Sequence, residues 1–373
     1  MNDKEKSALQ KEIVASLPLR PHGRLLLAPR VGKSKLAIDI IKLNKPVSIL
    51  WVTPSAKLAT EDIPAEFITW KAKAFVAKLT TVTWMSLDKV FGYFDMVILD
   101  EEQFATENNL QNLISGHLKY GNIISMTGTS TSHDVKLDLY KQLKLPILYE
   151  LSINDAVDIG MLANYSIKVI EVSLGKEKTI KAGTKDKPFM TSEESNYDYV
   201  HKMTQQAIFQ KRKDVTFQIM KRMRVIKGSP SKTAAAEFLM KELKGRKMFF
   251  CAGIEQAETL TPHTFHSKTN DEDLNRFMTG ELDTIAMVNS GGTGFTYKAI
   301  DHLVMIQADS DKNGLTSQKI CRTLLQQKDY KATIWILSLV GTQDEKWVAS
   351  ALERFDKTKV EYIRFQNLPN RSL

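Results

Sequence analysis

The chain has 373 residues, of which 43% are hydrophobic and 25% charged, with a formal net charge of +9 and a pI near 9.2. This length allows two domains of ordinary size, and no apolar run is long enough to span a bilayer. A basic excess favours polyanionic partners such as nucleic acid, although a lysine-rich solubilising surface has the same net charge.

The termini and cysteines indicate the cellular compartment. Residues 1–6 lack the apolar core of a signal peptide. The two cysteines, Cys251 and Cys321, lie in apolar or helical contexts, so reduced and buried thiols are expected rather than a disulfide or a metal site. These features predict a soluble cytoplasmic protein with no membrane association.

The first predicted strand, Arg24–Ala28, leads through a short loop into an apolar helical pattern. Gly32 in this loop lets the backbone approach an anion, and the N-terminus of the helix offers unpaired N–H groups. Lys33 is then placed to reach the β- and γ-phosphates of a nucleotide, and Ser34 to ligate Mg²⁺. Leu27 stands where the phosphate-loop pattern has its first glycine, so a surface turn with a lysine is the alternative.

Further apolar runs predict two groups of strands. The first group comprises Ile49–Thr53, Leu79–Thr83, Met96–Leu99 and Ile123–Met126, and the second comprises Met248–Cys251, Thr284–Val288, His302–Gln307 and Thr333–Leu337. Continuous rather than alternating apolar character is typical of parallel strands that helices cover on both faces. The predicted fold class is therefore α/β with two lobes, and ligands are expected beyond the carboxyl ends of the strands.

The connection between the two groups has a different composition. Residues 174–196 are rich in Lys, Thr, Ser and Glu, which predicts a mobile connection or a long loop. Residues 197–224 show a helical pattern, and Ser231 is the expected N-cap of a helix over Lys232–Leu243. We expect three regions: a first lobe over 1–172, a linker with a basic helical segment over 173–230, and a second lobe over 231–373.

The helical pattern carries two basic clusters, Lys211–Lys213 and Lys221–Arg224. They are suited to line a nucleic-acid track. A solvated helix face is an equally good interpretation, because apolar residues such as Phe217 and Ile219 are interleaved with them and supply a core side.

The predicted strand Met96–Leu99 is followed by Asp100, Glu101, Glu102 and Gln103. Adjacent carboxylates are costly at a strand end unless a cation or water meets them. Downstream of a phosphate loop, Asp100 is expected to hold Mg²⁺ and Glu101 to orient and deprotonate an attacking water. An acidic turn without function is the alternative, but such turns seldom follow a Gly-Lys-Ser loop so closely.

The order of these motifs resembles that of superfamily 2 helicases and translocases, which have two RecA-like lobes with a nucleotide cleft between them. Asp100–Gln103 resembles the Asp-Glu-x-His/Gln box, and Ser125–Ser130 resembles the third motif, which links the ATP state to the grip on nucleic acid. The resemblance implies coupling roles for Gln103, Thr127 and Thr129. Within this superfamily, the chain most resembles compact phage-type DNA helicases.

Other segments of the first lobe resemble nucleic-acid contacts of the family. Trp51–Ser55 is similar to its Pro-containing segment, and Val82–Leu87 to the next backbone-contacting segment. The implied contacts are Thr53, Pro54, Ser55, Thr83 and Trp84. Trp51 lies in an apolar strand and is expected in the core, whereas for Trp84 base stacking and packing are equally consistent with the sequence.

The second lobe carries similar motifs. Phe265–Lys268, Asn289–Phe295 and Gln318–Leu325 resemble the histidine-containing segment, motif V and motif VI. The implied nucleic-acid contacts here are His266, Ser290, Gly291, Gly292 and Thr293. The implied ATP-binding residues are Gln10, Arg30, Val31, Gly32, Lys33, Ser34, Gly294, Gln318 and Arg322, and the implied catalytic residues are Lys33, Glu101, Gln318 and Arg322.

Motif VI departs from the family pattern, because Leu325 stands where a second arginine finger is usual and Cys321 replaces a glycine. An arginine finger accelerates phosphoryl transfer by about 10³- to 10⁵-fold. Hydrolysis is therefore slow, or another arginine substitutes. Arg30 is one such candidate, and an outward-facing contact to the nucleic-acid backbone is the alternative role for it.

The favoured function is an ATP- and Mg²⁺-dependent nucleic-acid helicase or translocase, with DNA favoured over RNA, in replication, recombination or repair. The resemblance implies a monomer in a bacterial or infected-host cytoplasm, with a replication or recombination protein as a further partner. Two alternatives stay open: a nucleotide-gated nucleic-acid clamp with weak ATPase activity, which Leu325 motivates, and an RNA helicase.

Overall fold

A computed structural model defines residues 3–128, 134–183, 186–288, 299–308, 315–324 and 331–370. These residues form two compact units, the first ending at Leu162 and the second beginning at Ala163. Each unit has a sheet of parallel strands with helices between them in the chain. Parallel strands require such crossovers, because the chain must return to the same end of the sheet before it pairs again. This is the architecture of two RecA-like lobes.

The first unit begins with helix α1. Its helices and strands are α1 (Asp3–Ser16), β1 (Gly23–Leu27), α2 (Lys33–Asn44), β2 (Ile49–Thr53), α3 (Ile63–Thr69), β3 (Leu79–Thr83), β4 (Gly92–Asp100), α4 (Glu107–Ser115), β5 (Leu118–Thr127), α5 (Asp134–Gln142), β6 (Ile147–Leu151) and α6 (Ile153–Asp158). Short 3₁₀ turns lie at Lys73–Lys78, Trp84–Lys89 and Glu102–Phe104, and a π-helical turn lies at Leu58–Asp62.

The first sheet has the order β3-β2-β4-β5-β1-β6, with all pairs parallel. Strands β1 and β2 are buried along their whole length, although β1 begins with Gly23 and Arg24 and β2 ends with Thr53, and their other residues are apolar. One core cluster of this unit includes Leu50, Val52, Trp84, Val97, Leu99, Leu110, Ile123, Leu139 and Tyr140. The order brings the carboxyl ends of β1, β4 and β5 together, so the polar residues that follow them become neighbours.

The second unit begins with strand β7. Its helices and strands are β7 (Asn164–Val172), β8 (Ile180–Gly183), β9 (Pro188–Thr191), α7 (Glu193–Phe209), α8 (Val215–Lys227), α9 (Pro230–Glu242), β10 (Lys247–Cys251), α10 (Ile254–Leu260), β11 (Thr264–Phe265), α11 (Glu272–Thr279), β12 (Thr284–Val288), β13 (His302–Met305), α12 (Leu315–Thr323), β14 (Lys331–Leu339), α13 (Gln343–Leu352) and β15 (Val360–Arg364). Further 3₁₀ turns lie at Lys357–Lys359 and Phe365–Asn370.

The second sheet has the order β11-β12-β10-β13-β14-β7-β15, again parallel. Strand β7 pairs with β14 along its full length, from Asn164 with Lys331 to Val172 with Leu339. The change of unit at Ala163 therefore comes before the expected boundary at residue 172, because β7 completes the second sheet rather than the first. The expected linker over 173–230 also belongs to the second unit.

Two local expectations for this segment were wrong, and a third, the helical pattern over 197–224, is confirmed except at one turn. Residues 174–196 contain the antiparallel hairpin β8–β9 and the start of α7. The helical pattern over 197–224 is two helices, α7 and α8, separated by a turn in which Lys211 has a φ of 49°. The N-cap of α9 is Ser229, whose hydroxyl accepts a hydrogen bond from the Lys232 amide at 3.1 Å, whereas the Ser231 hydroxyl donates to the Glu193 carboxylate.

Neither cysteine side chain is exposed. Cys251 and Cys321 are both buried, and burial raises the pKa of the Cys251 thiol to about 12. In the ranges that the structure defines, none of the helices is both long enough and apolar enough to span a bilayer.

Candidate functional site

The predicted phosphate loop connects β1 to α2. Arg30 and Gly32 have left-handed backbones, with φ angles of 72° and 88°. Gly32 is the N-cap of α2, and a side chain at this position would collide with the Gln10 amide. The left-handed turn and the close packing explain why glycine is needed here. Lys33 and Ser34 form the first turn of α2, where helix N–H groups have no intrahelical acceptor.

Gln10 reaches the loop from helix α1. Its amide is buried and donates a hydrogen bond of 2.7 Å to the carbonyl oxygen of Val31. The sequence predicts Gln10 as a reader of adenine, and the structure adds a contact that supports the loop backbone. Adenine recognition by this residue stays a prediction.

The acidic box follows β4, two strands away from β1 in the sheet. Strand β4 ends at Asp100, and Glu101 has a left-handed backbone with φ of 51°. The Lys33 ammonium lies 2.6 Å from Oε1 of Glu101. The expected phosphate-binding cation and the expected general base are therefore directly paired in this structure.

Asp100 has an environment that disfavours its charge. Burial and the neighbouring charge of Glu101 raise the pKa of Asp100 to about 7, against the opposing effect of Lys33. A bound cation relieves this penalty, because it meets the carboxylate with opposite charge. Mg²⁺ typically takes one or two carboxylates together with substrate phosphates, so Asp100 and the Ser34 hydroxyl fit as its protein ligands. Among the described residues, no group of three or more His, Cys, Asp or Glu side chains forms a metal cluster.

Gln103 connects the box to strand β5. Its amide nitrogen donates to Oε2 of Glu101 at 2.8 Å, and its amide oxygen accepts from the Thr127 hydroxyl at 2.6 Å. The structure thus brings together two of the three expected coupling residues in a chain from Thr127 through Gln103 to Glu101. The third, Thr129, lies outside the described residues.

Glu102 has a role that sequence reasoning missed. Its carboxylate is buried and pairs with the buried Arg24 guanidinium, whose Nε lies 3.0 Å from Oε1. The Ser125 hydroxyl also donates to this carboxylate, and the Arg24 guanidinium lies 4.3 Å from the centroid of the Tyr140 ring. The available signal was a charged residue, Arg24, at the start of an otherwise apolar strand.

The expected nucleic-acid contacts of the first unit follow β2 and β3. Thr53 and Thr83 are register partners at the ends of these strands, and Pro54 and Ser55 are half-buried beyond them. Trp84 does not fit base stacking, because its ring is buried in the core and its indole N–H donates to the Asp100 carbonyl at 3.0 Å. Packing, the other interpretation of Trp84, is correct.

The second unit carries part of its expected set. Gln318 is buried on α12, and Arg322 lies on the same helix, although its side chain is not among those described. His266 is buried after β11, with Nε2 3.6 Å from Oε1 of Glu258. The remaining expected residues, Ser290, Gly291, Gly292, Thr293 and Gly294, lie outside the described ranges, as does Leu325.

Two solved structures with a similar fold align with nearly the whole chain. The ATP-dependent Type ISP restriction-modification enzyme LlaBIII bound to DNA aligns with 98% of this chain at 13% identity and a TM-score of 0.59, and the chain spans 31% of that enzyme. The Hef helicase domain from Pyrococcus furiosus aligns with 94% of this chain and is itself covered to 98%, at 12% identity and a TM-score of 0.52.

No protein-family model and no curated protein sequence matches the chain. At 12–13% identity, the structural likeness establishes the fold and nothing finer. The chain therefore has a helicase-like fold built from two RecA-like lobes.

Proposed function

We propose that the protein is an ATP-dependent nucleic-acid helicase or translocase of superfamily 2, with DNA favoured over RNA as its track. The observation that carries the proposal is the ion pair between Lys33 and Glu101 at 2.6 Å, next to the buried carboxylate of Asp100. A phosphate-loop lysine, a metal-binding aspartate and a general base are the first-lobe parts that nucleotide hydrolysis needs.

Each residue of this cluster has a distinct role in the proposed reaction. Lys33 and the N-terminus of α2 bind the β- and γ-phosphates, while Ser34 and Asp100 hold Mg²⁺. The metal supplies charge neutralisation on the phosphate oxygens when it is bound. Glu101 orients the attacking water and accepts its proton.

The pairing of Lys33 with Glu101 gives the cycle a switch. A phosphate group attracts the Lys33 ammonium more strongly than one carboxylate does, because it carries more negative charge. Glu101 is then released from Lys33 and becomes available as a base, while its other oxygen keeps the hydrogen bond from Gln103. Through Gln103 and Thr127, the position of Glu101 is linked to the end of β5.

The second unit supplies Gln318 and Arg322 to the nucleotide in this proposal, and motif V supplies Gly294. Nucleic acid is contacted by Thr53, Pro54 and Ser55 at the end of β2, by Thr83 at the end of β3, and by His266 and motif V, without Trp84. The formal charge of +9 supports a polyanionic track. The DNA-bound restriction-modification enzyme with a similar fold supports DNA as the polymer. A monomer acting in the cytoplasm in replication, recombination or repair, with a partner protein that directs it, completes the proposal.

A nucleotide-gated clamp is the second candidate, because Leu325 replaces an arginine finger of motif VI. Such a protein binds nucleic acid in an ATP-dependent way but hydrolyses ATP too slowly to translocate.

Steady-state ATP hydrolysis tests these alternatives. The rate is measured alone and with single-stranded DNA, duplex DNA, a branched junction or RNA, using Lys33→Ala and Glu101→Gln as controls. Strong stimulation by one polymer that both variants abolish supports the motor and identifies its track. Hydrolysis that stays at the level of the variants, while ATP changes nucleic-acid affinity, supports the clamp. Stimulation by RNA but not DNA identifies an RNA helicase.

A further inference from the structure

We infer that the paired helices α7 and α8 form a second binding surface for single-stranded nucleic acid, in which bases stack on exposed rings and basic side chains hold phosphates. The inference deepens the proposed function, since it names a contact with the track outside the helicase motifs. The biological use of the surface rests on the proposed function, but the binding itself can be measured without ATP.

The two helices pack side by side and leave their outer faces to solvent. The Thr204 hydroxyl on α7 donates to the Gln218 carbonyl on α8 at 3.1 Å, and Nη1 of Arg222 lies 3.5 Å from Nδ1 of His201. Thr204 and Arg222 are buried at this contact. The contact fixes which faces point inward, so the opposite faces are available to a ligand.

Large apolar side chains lie on the outer faces rather than in the core. Tyr199 is 58% exposed, Phe209 89% and Phe217 58%, and Met220 is also exposed. Tyr199 and Phe209 are ten positions apart on α7, or about 2.8 helical turns, so their side chains are offset by roughly 80° around the helix and both lie away from the buried Thr204. Exposed apolar side chains that lie close together, unlike isolated ones, are typical of interaction surfaces.

Basic side chains lie between the rings. Residues 197–228 contain eight Lys or Arg and two Asp, so this short segment carries much of the formal charge of +9. Asp214 is engaged by Arg212 at 2.7 Å. Within the described ranges, no carboxylate lies within ion-pair distance of Lys202, Lys221 or Arg224.

The basic and aromatic groups are interleaved rather than segregated. The Lys221 ammonium lies 5.6 Å from the centroid of the Tyr199 ring and thereby joins the outer faces of the two helices. Met220 and Arg224 follow Phe217 at three and seven positions, which places them along one side of α8. Helix α8 has 13 residues and is about 20 Å long, so it accommodates at most about six stacked nucleotides.

The row of side chains Phe217, Met220 and Arg224 on α8 ends at a cavity, which Arg224 helps to line. The cavity has a volume of about 560 Å³, and its lining includes Arg224, Lys227, Thr233, Glu237, Glu255 and Gln256. It has room for a base or a sugar-phosphate unit at the end of the surface. Glu237 and Glu255 also line the cavity, so the phosphates are expected next to Arg224 and Lys227.

The chemistry favours single-stranded nucleic acid over a protein partner. Stacking platforms interleaved with cations match a ligand that alternates apolar faces with phosphates, and they do so without sequence preference. A duplex hides its base faces, so it gains only the charge contacts of this surface. An acidic protein complements the charge of the lysines, but it has no regularly spaced flat groups that could stack on the exposed rings.

The test measures the affinity of the full chain for fluorescent oligo(dT), oligo(U) and an abasic strand of the same length, without nucleotide and across a salt series. The aromatic variant is F209A/F217A, and the charge variant is K221A/R224A. Phe91→Ala, at another exposed phenylalanine, is the matched aromatic control, and K241A/K244A is the matched charge control. All four change exposed side chains, so folding is expected to be retained, and circular dichroism verifies it.

The aromatic variant is expected to bind oligo(dT) about 5- to 150-fold more weakly for each stacked base that it loses, and to bind the abasic strand as the wild type does. The charge variant is expected to lower the slope of log affinity against log salt by about 1.4 on both strands. Equal losses on oligo(U) extend the surface to RNA, and losses on oligo(dT) alone restrict it to DNA.

The inference is overturned if the aromatic and charge variants bind every strand as their controls do. It is also overturned if they leave binding unchanged but dissociate a dimer in sedimentation, which would make the surface an interface between copies. Both results leave the proposed motor intact if nucleic acid still stimulates ATP hydrolysis. Conversely, wild-type protein without ATPase activity that binds oligo(dT) through these side chains refutes the motor and supports the inference.

Discussion

The buried ion pair between Arg24 and Glu102 leads to a prediction that separates folding from catalysis. Both side chains are almost fully buried, and the Ser125 hydroxyl donates to the same carboxylate. Arg24→Met removes the cation and leaves the Glu102 carboxylate without it in the interior of the first unit. The triple change R24M/E102M/S125A removes both charges and the hydroxyl together.

The structure sets the size of the expected effects. Breaking a buried pair by removing one partner costs about 3–5 kcal/mol, because the remaining charge is uncompensated. For a unit of this size, that lowers the melting temperature by roughly 10 °C. Replacing the whole set by apolar side chains of similar volume is neutral or stabilising by about 1–4 kcal/mol. The triple variant should therefore melt at or above the wild-type temperature.

Turnover is expected to respond differently. The left-handed backbone of Glu101 costs about 1–2 kcal/mol and persists only because its neighbours are held in place. Glu102 is held by Arg24 and Ser125, so the triple variant loses one of these restraints on the general base. We expect its stability to recover and its turnover to stay below that of the wild type, with ATP affinity unchanged.

Scanning calorimetry of the wild type, Arg24→Met and the triple variant measures the first effect, and ATP hydrolysis with nucleotide titration measures the second. Phe91→Ala serves as a control for substitution at an exposed site. The reasoning is refuted if Arg24→Met melts with the wild type. A triple variant with full turnover would show that the pair supports the fold and does not position Glu101.

Three further predictions concern the same chain. The pKa of Asp100 in the folded protein is near 7, above that of an ordinary carboxyl group. Protonation of Asp100 therefore favours the folded protein, and the free energy of unfolding falls as pH rises. In Mg²⁺-free buffer, the free energy of unfolding of Asp100→Asn relative to that of the wild type should therefore rise by about 2–3 kcal/mol between pH 5 and pH 8. Urea unfolding measures this difference, and a difference that does not change with pH would contradict the prediction. Gln103→Ala should weaken nucleic-acid stimulation of ATP hydrolysis more than basal hydrolysis, since it breaks the chain from Thr127 to Glu101; equal losses in both rates would argue against coupling. Cys251, whose pKa burial raises to about 12, should resist alkylation near neutral pH until the protein is unfolded, and rapid labelling of the native protein in mass spectrometry would oppose that view.

Much of the fold was accessible from local sequence patterns. The strands Ile49–Thr53, Leu79–Thr83 and Thr284–Val288 were predicted with the bounds that the structure has. Ile49–Thr53 and Thr284–Val288 each contain a run of four apolar residues, which is a strong strand signal for a buried parallel sheet, whereas Leu79–Thr83 is rich in β-branched threonine and valine. Strands β6, β7, β8, β9, β11 and β15 were not predicted. Of these, β6 and β15 lie at sheet edges, where half-exposed residues dilute the apolar pattern.

The broken helix shows a different limit. Residues 197–224 contain no glycine or proline, so helix propensity predicts one continuous element. The turn between α7 and α8 instead uses a left-handed Lys211 and a pair between Arg212 and Asp214. Packing one helix against the other stabilises this turn, and no property of the local sequence reports it.

The sequence by itself determined the local machinery: a glycine that must adopt a left-handed turn before Lys33, and a run of acids after a buried strand. Both features depend on the conformation and chemistry of a few consecutive residues, which can be inferred from the local sequence. Only the tertiary structure decided that Lys33 meets Glu101, that Glu102 turns inward to Arg24, and that Trp84 belongs to the core. Such pairings join strands that are distant in the chain, and the order of strands in the sheet selects them.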